Sequence, residues 1–129
     1  MVGYELSSSE VQDIDAHLCD LPKLAKHARS FDWLLNTWER CVSQVEQGYA
    51  DSIHEFENDL SSREILDVVA RDVDSALRTR LMLVLKPIDD RYGNATVPAS
   101  GRTNQDWFRV PKKLMDELVV DLRAEGLVK

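Results

Sequence analysis

Three histidines, two cysteines and 23 carboxylates are the side chains of this 129-residue chain from which chemistry would be built. Asp51 and His54 stand three apart, which places both on one side of a helix and within reach of one metal ion. A zinc site still needs one or two further ligands. The Glu-x-x-His pairs of di-metal bundles are absent, and Asp13 with His17, four apart, reads as an ordinary helix-surface pair. Neither Cys19 nor Cys41 has a neighbouring histidine or a helix N-terminal position to lower its pKa. There is no Gly-x-Ser-x-Gly and no glycine-rich phosphate loop. Carboxylate pairs such as Glu55 with Asp59, Asp72 with Asp74 and Asp89 with Asp90 are what so acidic a chain produces by number alone. No catalytic residue, metal ligand or cofactor is expected, and the reading leans away from an enzyme.

Charge carries more information. Lysine and arginine total 16, which leaves a net charge of −7. That argues against nucleic-acid binding over the whole surface, because affinity for phosphate chains comes from clustered cations releasing counterions. The charge is uneven. Glu46, Asp51, Glu55, Glu57 and Asp59 fall in one segment with no lysine or arginine. Arg78 to Lys113 is rich in cations (Arg78, Arg80, Lys86, Arg91, Arg102, Arg109, Lys112, Lys113), with Tyr92, Trp107 and Phe108 interleaved as stacking platforms require. The sequence leaves open whether the acidic and basic segments face each other.

The elements that must position these groups are helices. Ser7 with Glu10 fits a capping box and opens a helix over about 8–19. Pro22 starts a short second helix to about Arg29. Ser30 caps a third from Phe31 to Gln47, closed by Gly48. Its apolar residues, Phe31, Leu34, Leu35, Trp38, Cys41, Val42 and Val45, make one core-facing stripe. Ser52 with Glu55 and Ser61 with Glu64 repeat the box, which predicts a short helix to Leu60 and a long one over about 62–86. On the long helix Arg63, Asp67, Arg71, Asp74 and Arg78 alternate in sign at spacings of three and four, the pattern of a solvated face. A helix of that length is either the spine of an elongated bundle or broken near Arg78–Arg80. Pro87 is expected to end it, and Ile88–Val110 to form a long loop with Ala95–Val97 as a short edge piece. Pro111 then starts a last helix to about Glu125.

The fold class expected is therefore all-α. One helical domain spans 1–129, a bundle of about five to six helices with one long loop (about 88–110) before the last helix. The longest apolar run, Leu81–Leu85, is far short of a membrane span, and Met1–Glu5 lacks the basic start of a signal peptide. Two cysteines at helix-interior positions read as reduced thiols. A cytoplasmic protein is expected.

Two features exceed these generalities. Trp33 lies opposite the apolar stripe of its own helix, where an exposed aromatic suits an interface. The 88–110 loop carries charged and aromatic residues outside any helical period. The main expectation is a small acidic interaction module, of inhibitor or antitoxin type, binding another protein with a basic surface through Trp33, Glu46, Asp51, Glu55, Glu57 and Asp59. The alternative is a small-ligand or weakly catalytic site on the loop, using Asp89, Asp90, Arg91, Tyr92, Trp107 and Arg109. Trp33 and the long helix also leave room for a homo-oligomer. No motif is specific enough to carry a family's residue roles across.

Overall fold

The computed structural model describes residues 6–19, 30–49, 52–98, 107–113 and 123–124. Within them lie α1 (Ser8–Cys19), α2 (Phe31–Gln47), α3 (Ile53–Asp72) and α4 (Ser75–Ala95), then the strands β1 (Thr96–Pro98) and β2 (Arg109–Pro111).

Local chemistry accounts for the first three helix starts. The Ser7 hydroxyl accepts from the Glu10 amide (3.2 Å) while the Glu10 carboxylate accepts from the Ser7 amide (3.0 Å), a closed capping box. Ser30 accepts from the Trp33 amide at 3.1 Å, and Asp15 of α1 accepts from the Phe31 amide at 2.8 Å. Two of the orphan donors of α2 are thus satisfied, one of them by a neighbouring helix. Gly48, at φ 116°, adopts a backbone that a side chain would resist, and its amide closes α2 on the Gln44 carbonyl at 2.9 Å. All seven residues of the expected α2 stripe are buried.

From Ser52 onward the division differs from expectation. Ser52 caps α3 as anticipated, accepting from the Glu55 amide. Ser61 starts nothing: its hydroxyl donates to the Glu57 carbonyl one turn back (3.0 Å), and α3 runs on to Asp72. The long helix breaks at Val73–Asp74, ahead of Arg78–Arg80, because both residues turn extended (ψ 164°) and Asp74 caps α4 by accepting from the Leu77 amide at 2.8 Å. Arg78 reaches back over the corner, its guanidinium donating to the carbonyls of Ala70, Arg71 (3.1 Å) and Val73 (3.3 Å). It thereby satisfies the acceptors that the end of α3 leaves open.

Pro87 does not end α4. The proline removes the amide that would bond to Leu83, but on the outer side of the helix, where Leu83 is 64 % exposed and water reaches that turn. Beyond it Ile88 and Tyr92 are buried, and their burial holds the last two turns helical. The first third of the expected loop is therefore helix. The expected edge piece is β1, paired antiparallel to β2 with Thr96 opposite Pro111, Val97 opposite Val110 and Pro98 opposite Arg109. Pro111 is the last residue of that strand and not the first of a helix.

The described fold is mostly helical with a small ribbon, and four described helices stand in place of five to six. The helix expected over 22–29 lies outside the described residues, as does most of the one expected after Pro111, although Arg123 and Ala124 are helical. α2 packs most extensively on α3 and next on α4. Their buried side chains join one hydrophobic cluster with Ile14 and Leu18 of α1, Val110 of β2 and Phe108 just before it. No described helix is long and apolar enough to cross a membrane.

Candidate functional site

At the centre of the α2–α3–α4 packing sits a charged side chain. Arg63 of α3 is 0 % exposed, a placement that arginine tolerates only when its charge is matched and its donors are used. Asp89 of α4 takes its guanidinium in a two-pronged pair, Nε to Oδ1 at 3.0 Å and Nη2 to Oδ2 at 2.9 Å. Asp67, one turn along α3, accepts from Nη1 at 2.6 Å. The guanidinium carbon Cζ lies over the Trp107 ring, 4.1 Å from its centre and within cation–π range.

Two indoles complete the cluster. Trp38 of α2 donates Nε1 to Asp89 Oδ1 (2.9 Å), and Trp107 donates Nε1 to Asp67 Oδ2 (2.6 Å). Each of the four carboxylate oxygens thus accepts at least one bond from the chain itself. Trp38 meets Tyr92 and Trp107 edge-on, at centroid distances of 4.9 and 5.7 Å. Tyr92 donates its hydroxyl to the Trp107 carbonyl and accepts from the Arg109 amide at 3.2 Å. Burial pushes the Tyr92 phenol well above its usual pKa, so it remains a neutral donor. The Arg109 side chain continues to Thr96 (Nε to Oγ1, 2.8 Å), which ties the ribbon to the end of α4.

The chain matches no family model, no curated protein and no solved structure.

The structure brings four of the six residues of the expected ligand loop into or against the cluster: Asp89, Tyr92, Trp107 and Arg109. The other two point elsewhere. Asp90 pairs with Lys86 one turn back at 3.1 Å, both well exposed. Arg91 donates to Glu46 of α2 (2.6 and 3.2 Å) and to Ser43 (3.1 Å), with Glu39 3.7 Å away. The Glu46–Arg91 contact also joins the acidic and basic segments at one point. The hydrogen bond from Arg91 lowers the Glu46 carboxyl below its ordinary value.

Of the expected partner-binding residues, Trp33 stands at the far end of α2 from Glu46. Trp33 is 37 % exposed in the first turn of α2, and about 21 Å of helix separates it from Gln47. Glu55 is exposed in the first turn of α3, Glu57 is half-buried, and Asp59 accepts from the Tyr49 hydroxyl at 2.7 Å. Asp51 lies outside the described residues. Among the described residues no three of His, Cys, Asp and Glu gather as a metal would need. Burial raises the Cys41 thiol far above its ordinary pKa, which removes its nucleophilic form.

Two members of the cluster escape sequence reasoning. Arg63 and Asp67 carry the charge alternation of a surface helix, and their partner Asp89 lies 26 residues from Arg63. One signal was available. Trp38 falls within the apolar stripe of α2, and a buried indole N–H requires an acceptor from elsewhere in the chain.

A concavity lies at the opposite end of α4 from the cluster. A cleft of about 600 Å³ opens between α1 and the first turn of α4, with Glu10, Asp13, Ala16, Asp74 and Leu77 among its lining. Two of its carboxylates are engaged, Glu10 with the Ser7 amide and Arg80 (2.7 Å) and Asp74 with the Leu77 amide.

Proposed function

We propose that this chain is a small acidic protein-interaction module, non-catalytic, whose partner presents a basic surface. The observation that carries the reading is the engagement of the loop candidates. Asp89 is held by Arg63 and Trp38, Arg91 by Glu46, Tyr92 by Trp107, and Trp107 by Asp67. Groups that a small ligand would need are already bonded to one another, which favours a scaffold over a pocket. The surface instead offers what association uses: a net charge of −7, Glu55 in the open, and exposed apolar side chains at Trp33 (37 %) and Leu83 (64 %).

The test is affinity capture from the protein's own host, washed at low and high salt and repeated with Trp33→Ala and with Glu55→Lys/Glu57→Lys. A single stoichiometric protein, released by salt and weakened by either variant, is the expected result. A partner indifferent to salt and to both variants would overturn the acidic-surface reading, and a bound metabolite in place of a protein would overturn the module itself.

A further inference from the structure

We propose that Trp38, Asp67, Asp89 and Trp107 form a guanidinium-selective receptor that the native chain fills with its own Arg63, and that this receptor takes up a free alkylguanidinium ion once the Arg63 side chain is removed. The receptor lies in the interior of the fold and is independent of whatever the outer surface binds.

The walls engage all three nitrogens of the guanidinium ion. Asp89 meets one edge of the planar fork with two parallel bonds, at 3.0 and 2.9 Å, which a compact ammonium cannot make. Asp67 takes a further N–H at 2.6 Å. The guanidinium carbon sits over the Trp107 ring, 4.1 Å from its centre. The site carries two carboxylates against one cation, so its demand for positive charge persists when Arg63 is shortened.

The walls are also held independently of Arg63. Trp38 is fixed to Asp89 by its indole N–H and packs edge-on against Tyr92 and Trp107. Trp107 is fixed to Asp67 by its own N–H and to Tyr92 through its carbonyl. Asp89 and Trp107 belong to α4 and to the segment leading into β2, and only Asp67 shares a helix with Arg63. These braces do not pass through Arg63, so the contacts that shape the walls survive when its side chain is removed, while the two carboxylates are left wanting a cation. An entry side exists at Asp67, whose side chain is 34 % exposed against 17 % for Asp89.

The experiment is thermal melting of the full chain carrying Arg63→Ala, titrated with ethylguanidinium chloride and, separately, with ethylammonium chloride at equal ionic strength. Expected is a saturable rise in Tm with ethylguanidinium alone, roughly 5 °C at a tenfold excess over Kd. The wild type, its receptor occupied, should not respond, and Asp89→Asn added to Arg63→Ala should abolish the response. Equal shifts with both cations, or none with either, overturn the proposal. If Arg63→Ala is unfolded in the cold, the same titrations are read as recovered helical circular dichroism, with the same outcomes deciding. Arg63→Lys is a second criterion: it should fold with a lowered Tm, and a wild-type Tm would overturn selectivity for the planar ion.

Discussion

Arg63 and Asp89, 26 residues apart on two helices, face each other as a two-pronged ion pair inside the core, and the pair joins α3 to α4. A buried pair contributes little net stability when compared with apolar side chains of the same volume. Breaking it by removing one partner is costly, because the other charge is left without a match. Asp89→Ala is therefore expected to destabilise by about 3–5 kcal/mol, measured as a lowered midpoint in urea. Asp67→Asn should cost about 1 kcal/mol, because its side chain is a third exposed and water can replace part of the lost bond. Equal losses for the two substitutions would mean that Asp89 is not the principal counter-charge.

Acid should weaken the fold in part through Glu46 and Glu10. Arg91 lowers the folded pKa of Glu46 by hydrogen bonding, and the Ser7 amide does the same for Glu10. A carboxyl whose pKa falls on folding adds stability above its unfolded value of about 4.3, and that stability disappears as pH drops through the depressed folded value. Glu46→Gln should therefore flatten the loss of stability on going from pH 6 to pH 3. A wild-type slope in that variant would remove Glu46 from the account. The effect should shrink at high salt, since both partners are more than a third exposed.

The corner between α3 and α4 depends on Arg78, which donates to three carbonyls at the end of α3. Arg78→Ala should cost about 1–3 kcal/mol, the range for leaving such groups without partners. Arg78→Lys should recover only part of it, because one ammonium cannot span carbonyls from Ala70 to Val73 as the fork does. Arg71→Ala, on the exposed side of the same turn, should stay within about 0.5 kcal/mol of wild type. Urea unfolding of the three variants makes the comparison.

Cys41 should resist thiol reagents. It is 0 % exposed, and burial pushes its pKa up, so that thiolate is scarce in the native state. In a Cys19→Ser background, Ellman's reagent should react with Cys41 only at the rate of opening and accelerate on adding denaturant. Immediate stoichiometric reaction without denaturant would contradict the buried position.

Capping was legible from the sequence because it is a relation between residues three apart. Ser7, Ser30 and Ser52 each cap as their spacing predicts, and Gly48 closes α2. The same rule misreads Ser61, since serine and glutamate three apart also occur inside a helix whose buried side continues through them. Periodicity placed the α2 stripe without error, as expected where one face is apolar and the other polar. It failed on α3, where Arg63 and Asp67 show the alternation of a solvated face and yet point inward. By its local cost alone Pro87 would end a helix, but that cost is small on an exposed side and is offset by Ile88 and Tyr92 packing beyond it.

What the sequence determined by itself is the short-range part of this protein: its acidic balance, its mainly helical character, three helix starts and the inward face of α2. The balance is composition, and the rest is written in residues within about one or two helical turns of one another. Tertiary structure decided where the charges go. Whether Arg63 is solvated or buried depends on Asp89, Trp38 and Trp107 arriving from other elements, and a buried guanidinium is stable only where all of them meet.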